Sequence, residues 1–215
     1  MNPRIALLVF AVGATGVPTS TLAAQAGGSP SFQPPKLTER ELNFGVTHFR
    51  GGVASLLFQW REGLTPKWQF TLEAGLADAA GRHAGNQIHV GGALAYEMAE
   101  ASADVPLDFV LTGGAYLGGG DHAVLRLPVG VSVGHTFPLD GPLSVTPYVH
   151  PRLSIISCRG CSALGVDFDV GGSLKLSHLL ALRASAVFGT ADAAGRDGFG
   201  ISLAWTPPGL QKRTR

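Results

Sequence analysis

From Glu41 to Trp205 the chain alternates between large apolar residues and small or polar ones. The clearest run is Gly198–Trp205, where Phe199, Ile201, Leu203 and Trp205 are large and apolar while Gly198, Gly200, Ser202 and Ala204 are small. Successive side chains of a strand point to opposite sides of its sheet, so strict period two predicts a strand with one greasy face. The same pattern sets Leu42, Phe44 and Val46 against Glu41, Asn43 and Thr47, and Trp68, Phe70, Leu72 and Leu76 against Gln69, Thr71 and Glu73. It sets Leu125, Leu127, Val129, Val131 and Val133 against Arg126 and Ser132, and Leu164, Val166, Phe168 and Val170 against Asp167 and Asp169. Residues 53–61 are blurrier, with Leu56, Phe58 and Trp60 opposing Ser55, Gln59 and Arg61. Counted through, the alternation predicts about ten strands of about ten residues, the length that crosses a bilayer at a tilt.

Short turns separate these runs at 50–52, 62–66, 138–142 and 176–178, and longer Gly- and Ala-rich stretches occupy 78–86 and 189–197. No segment has a helical period, and no repeat of solenoid or propeller length is present. The pattern therefore predicts an all-β fold: a closed antiparallel up-and-down barrel over residues 40–205, of about ten strands, with eight as the smaller count it admits.

Alternation alone does not say which face meets water, because a soluble barrel alternates too, with its apolar residues inside. Two features favour a transmembrane barrel with a polar interior. The polar face carries its own counterions: Glu41, Glu73, Glu97, Asp108, Asp167 and Asp169 stand against Arg61, Lys67, Arg126, Arg152, Lys175 and Arg183. Buried charges need partners, and this set supplies them. From it Glu73, Arg126, Arg152, Asp167, Asp169 and Arg183, with His89 and His150, are expected to form a lumen network. The aromatic residues Trp60, Trp68, Tyr96, Phe109, Phe137 and Trp205 fall at one edge of the predicted strands, as in the girdle that amphipathic rings form at a lipid–water interface.

Composition agrees. Apolar residues make up 45% and charged residues 14% of the 215 positions, against roughly 25% charged in an average soluble protein. The formal net charge of +1 gives no argument for nucleic acid or for a strongly charged partner, and no nucleic-acid partner is expected. At the N-terminus, Arg4, the apolar residues 5–12 and the small-x-small site Ala24-Gln25-Ala26 read as a secretory signal over 1–26, too short to span a bilayer. Residues 27–39, with Pro30, Pro34 and Pro35, read as a flexible periplasmic linker, and 206–215 as a C-terminal tail.

The terminal aromatic Trp205, Leu203 two before it and Gly200 five before it resemble the closing-strand signal of small bacterial outer-membrane β-barrel proteins. That resemblance implies insertion by the barrel-assembly machinery. The chain departs from the pattern by continuing to Arg215. The expected setting is a monomer in the outer membrane, exported by the Sec route, with membrane lipid as its surroundings.

Chemistry is sparse. Cys158-Arg-Gly-Cys161 lies in a predicted extracellular hairpin, where a disulfide would staple the loop in an oxidising compartment. A redox role would need a strand–helix context, and zinc would need further ligands, neither of which is nearby. Asp78, His83, Asp121, His122, Asp192 and Asp197 could gather at the extracellular rim, where omptin proteases carry their acid and histidine groups. These are also ordinary turn residues, and no nucleophile–base–orienter set is visible. Gly118-Gly119-Gly120 lacks the Lys-Ser/Thr and the helix of a phosphate loop. No cofactor or metal is expected, and no enzyme activity. The reading is a barrel with a side-chain-filled interior and a structural or surface-binding role. The alternatives are a narrow channel, an omptin-like rim hydrolase, or a soluble periplasmic barrel around an apolar ligand.

Overall fold

The computed structural model describes residues 29–50, 53–78, 86–119, 123–189 and 197–207. Its strands are β1 (Arg40–Phe49), β2 (Val53–Thr65), β3 (Trp68–Asp78), β4 (Asn86–Ala99), β5 (Asp108–Gly119), β6 (Val124–Gly134), β7 (Phe137–Pro138), β8 (Ser144–Cys158), β9 (Cys161–Lys175), β10 (Leu180–Gly189) and β11 (Gly198–Trp205). Neighbours in sequence pair antiparallel, β1 pairs with β11, and β6 pairs with β8. The result is a closed up-and-down barrel of ten strands, with the two-residue β7 added on β8. Closure leaves the barrel strands without a free edge, as a bilayer demands of backbone amides and carbonyls.

Period two becomes two faces. Along β6, Arg126, Pro128, Gly130 and Ser132 are buried while Leu127 and Val129 are exposed. Along β8, Tyr148, His150, Arg152 and Ser154 point in, and Val149, Leu153 and Ile155 point out. The apolar residues are on the outside, which excludes the soluble barrel with an apolar interior. One strand bends the rule of ladder continuity. Pro128 has no N–H to donate, and the β5–β6 register is interrupted between the Gly113–Val129 and Tyr116–Arg126 pairs.

Three details differ from the sequence expectations. β2 runs on through Thr65, so the turn expected at 62–66 is reduced to Pro66-Lys67. Lys67 and Lys175 are exposed at strand ends and are not lumen residues. The third difference is the largest. The stretch expected to be a flexible linker instead enters the barrel over residues 29–38: Ser29, Phe32 and Gln33 are buried, while Lys36 is exposed, its ammonium 3.9 Å from Asp108. Pro and Gly content reads as flexibility, but these residues are held by side chains of the barrel wall far away in sequence. The signal expected over 1–26 and the tail after Pro207 lie outside the described residues.

Candidate functional site: the lumen

Inward positions of β1, β2 and β3 build the first part of the lumen network. Glu41 on β1 accepts from Arg61 Nη1 at 2.9 Å and from Arg183 Nη1 and Nη2 at 2.5 and 2.6 Å. One carboxylate thus holds two guanidinium groups, one of them from β10 across the β1–β11 seam. Beside it, Asn43 donates to Gln59 at 2.8 Å, and Gln59 donates to Glu73 at 2.8 Å. Glu73 stands 3.5 Å from His89 Nε2 on β4.

The second part lies on β6, β8 and β9. Arg126 pairs with Asp167, and Ser154 bridges them, accepting from Arg126 Nε at 3.1 Å and donating to Asp167 at 3.2 Å. Arg152 donates to Asp169 at 2.8 Å. His150 lies between Ser31 Oγ at 2.7 Å from its Nδ1 and Thr112 Oγ1 at 2.8 Å from its Nε2. Taking these charges out of water is offset only because each meets an opposite charge or several hydrogen bonds.

The eight residues expected in the network, Glu73, His89, Arg126, His150, Arg152, Asp167, Asp169 and Arg183, are all buried in the lumen. They form two groups rather than one, joined through residues 29–38. Asn43, Gln59, Gln69 and Ser132, which the alternation places on the polar face but which were not among the residues expected in the network, are also buried. Their inward phase in the alternation was the available signal.

The strap over residues 29–38 is gripped through its backbone. Arg61 Nη2 donates to the carbonyls of Ser31 and Phe32, both at 2.9 Å, and Gln59 to that of Ser31 at 3.2 Å. Ser132 donates to the Gln33 carbonyl at 2.7 Å, Arg152 to that of Ser29 at 3.3 Å, and Gln69 to that of Thr38 at 2.8 Å. The Ser31 amide donates to Asp169 at 3.0 Å. The Phe32 ring seats on the β1–β11 seam. A Cβ at Gly200 would stand 2.7 Å from its Cζ, and one at Gly45 3.2 Å from its Cε2. Gly200, part of the expected assembly signal, therefore has a local reason to be glycine: a side chain there would occupy the space of the ring. A cavity of about 40 Å³ runs beside the strap, lined by Glu73, Tyr116, His150 and Arg152 among others, room for roughly two or three waters.

Outside, Trp60, Trp68, Phe137 and Trp205 are exposed, and Tyr96 and Phe109 are half-buried. Trp60 and Trp205 flank Leu42 in register, and Trp68 faces Tyr96 with ring centroids 4.8 Å apart. All lie toward the end of the barrel that bears the Pro66-Lys67 turn. Leu203 and Trp205 point outward, whereas Gly200 points in. At the opposite end Cys158 is disulfide-bonded and faces Cys161 in the β8–β9 register, across a turn in which Gly160 has a φ of +83°. Of the rim residues, His83, Asp121, His122 and Asp192 lie outside the described residues, as does the side chain of Asp78, and Asp197 is exposed. Among the described residues no group of three or more His, Cys, Asp or Glu side chains is placed to hold a metal ion.

No protein family and no curated protein matches the chain. Solved structures do. A bacterial polysaccharide outer membrane secretin is similar over 80% of this chain and 67% of its own, with a TM-score of 0.50 and 5% identity. The β domain of the Bordetella autotransporter Brka is similar over 78% of this chain and 98% of its own, with a TM-score of 0.50 and 14% identity. At such identities the likeness is one of fold: the chain has the architecture of the bacterial outer-membrane β-barrels.

Proposed function

We propose that this protein is a monomeric outer-membrane barrel with a structural or surface-binding role, whose interior is closed at rest. One observation carries the reading: a continuous apolar outer face surrounds a lumen in which paired charges and residues 29–38 take up the space. In water an outer face of exposed Leu, Val, Ile and Phe would associate or aggregate, whereas lipid asks only that no charge reach the midplane. The lumen holds too little free volume for a wide aqueous pore. Membrane lipid is the partner of the outer face, and the assembly machinery acts during insertion.

The test is reconstitution. Wild-type protein is expected to need detergent for extraction and to give little or no steady conductance in planar bilayers. A protein that stays soluble without detergent, or one that forms stable open channels, would overturn the reading.

A further inference from the structure

We propose that the lumen is a binding site for an extended peptide segment, that residues 29–38 are its built-in occupant, and that their withdrawal through the short-turn mouth opens a narrow polar passage. The proposal rests on the closed outer-membrane barrel argued above and goes beyond it.

The chemistry of the grip is the first reason. Arg61, Gln59, Ser132, Arg152 and Gln69 all donate to strap carbonyls. Carbonyls are common to every peptide, so most of the grip is on backbone, and side chains add to it at Ser31, whose Oγ meets His150, and at Phe32. Among the described residues the strap forms no ladder with any strand, and Glu39, which follows it, accepts from Gly63 N at 2.6 Å at the short-turn mouth. That contact marks the end through which the segment enters.

Much of the wall keeps its partners without the strap; Ser132 and Gln69, whose side-chain hydrogen bonds run to the strap, would turn to the water that enters. Arg61 keeps Glu41 and the Gln59 carbonyl oxygen, Arg152 keeps Asp169, and Gln59 keeps Glu73. Withdrawal therefore leaves each of these groups with a hydrogen-bonded partner, which is what separates a removable occupant from a piece of core.

Phe32 is the third reason. It is the one aromatic side chain of the strap and is fully buried, and its φ of +46° lies in the left-handed region that a bulky side chain rarely adopts. Strain of this kind persists only where surroundings impose it, and it clusters at clamps and switches. Leaving the glycine socket at Gly45 and Gly200 relieves it. The water-sized cavity already running beside the strap is where the passage would start.

The test uses full-length protein in planar bilayers. Wild type is expected to stay closed, and Phe32→Ala to show repeated openings. A synthetic peptide of residues 29–38 is expected to close those openings. The same peptide with alanine for Phe32 should need at least about a hundredfold higher concentration, the lower end of the loss expected on truncating a buried phenylalanine. A Phe32→Ala trace as silent as wild type overturns the proposal, and so does equal potency of the two peptides. Should Phe32→Ala fail to fold, cysteine reactivity decides. Gln33→Cys on the strap and Val187→Cys on the wall, where Val187 is packed against Phe49, are both buried positions, and a charged thiol reagent should label the first at least ~10-fold faster, a ratio worth about 1.4 kcal/mol of opening. Equal inertness of the two overturns the proposal. Steady conductance of wild type overturns both the plug and the closed interior, whereas a silent, unreactive strap overturns the plug alone.

Discussion

Within β6, Arg126 and Val129 stand three positions apart and face opposite solvents. Val129 is 57% exposed and Arg126 is 1% exposed. The outer face is permissive, since lipid accepts any apolar side chain and no position there depends on a particular neighbour. The lumen is demanding, since each buried charge depends on a particular partner from another strand. The outer face should therefore tolerate exchange among apolar residues and reject charge, while the lumen should reject even isosteric loss of one member of a pair.

The largest effect is expected at Glu41, because it neutralises both Arg61 and Arg183. Glu41→Gln keeps the shape and removes the charge, leaving two buried guanidinium groups without an anion. Breaking a buried pair costs about 3–5 kcal/mol, and here two are broken together. Urea unfolding of detergent-refolded protein measures it. A loss below about 1 kcal/mol would mean that water reaches the pair, and that the lumen is less demanding than its geometry implies.

Val129→Arg probes the other face. A charge at the midplane costs roughly 2–4 kcal/mol and has no partner in hydrocarbon, so insertion yield and unfolding midpoint should both fall. Val129→Leu should leave both unchanged. If arginine at 129 were as harmless as leucine, that face would not meet lipid. An arginine at Ser132 enters a different conflict, since Ser132 is fully buried and donates to the Gln33 carbonyl of the strap. Its effect should be on the strap before it is on the wall.

The two faces also differ in how far the sequence discloses them. Which side chains point out follows from period two, so Leu127, Val129, Phe199 and Ile201 were legible as outward, and Arg126, Asp167 and Asp169 as inward. Who pairs with whom was not. Glu41 and Arg183 are 142 residues apart, and their meeting depends on closure of the β1–β11 seam and the stagger of strands around the barrel. Lys67 and Lys175 were misplaced because alternation carries on into strand ends where the lumen has already opened. The strap was hidden for a different reason. Its grip is on backbone carbonyls, which no residue type announces, and its Pro and Ser content matches a linker. Phe32, an apolar ring among small and polar residues, was the signal left in the sequence.

The smallest effect is expected at the edge of the outer face, where the comparison between permissive and demanding sides is sharpest. Trp68 and Tyr96 are cross-strand partners with tilted rings, 4.8 Å between centroids and 43° between planes. Lipid would accept either alone, so any specific stabilisation must come from the pair. Aromatic pairs of this geometry contribute about 0.5–1.5 kcal/mol beyond their burial. A double-mutant cycle with Trp68→Leu and Tyr96→Leu isolates that term, because leucine keeps the face apolar while removing ring–ring contact. A coupling in that range would show one specific contact on an otherwise permissive face, at the height where an interface holds rings in place. A coupling indistinguishable from zero, with each single change still destabilising, would assign the rings to their contact with the lipid boundary alone. The outer face would then be permissive to its edge, and specificity would belong to the lumen.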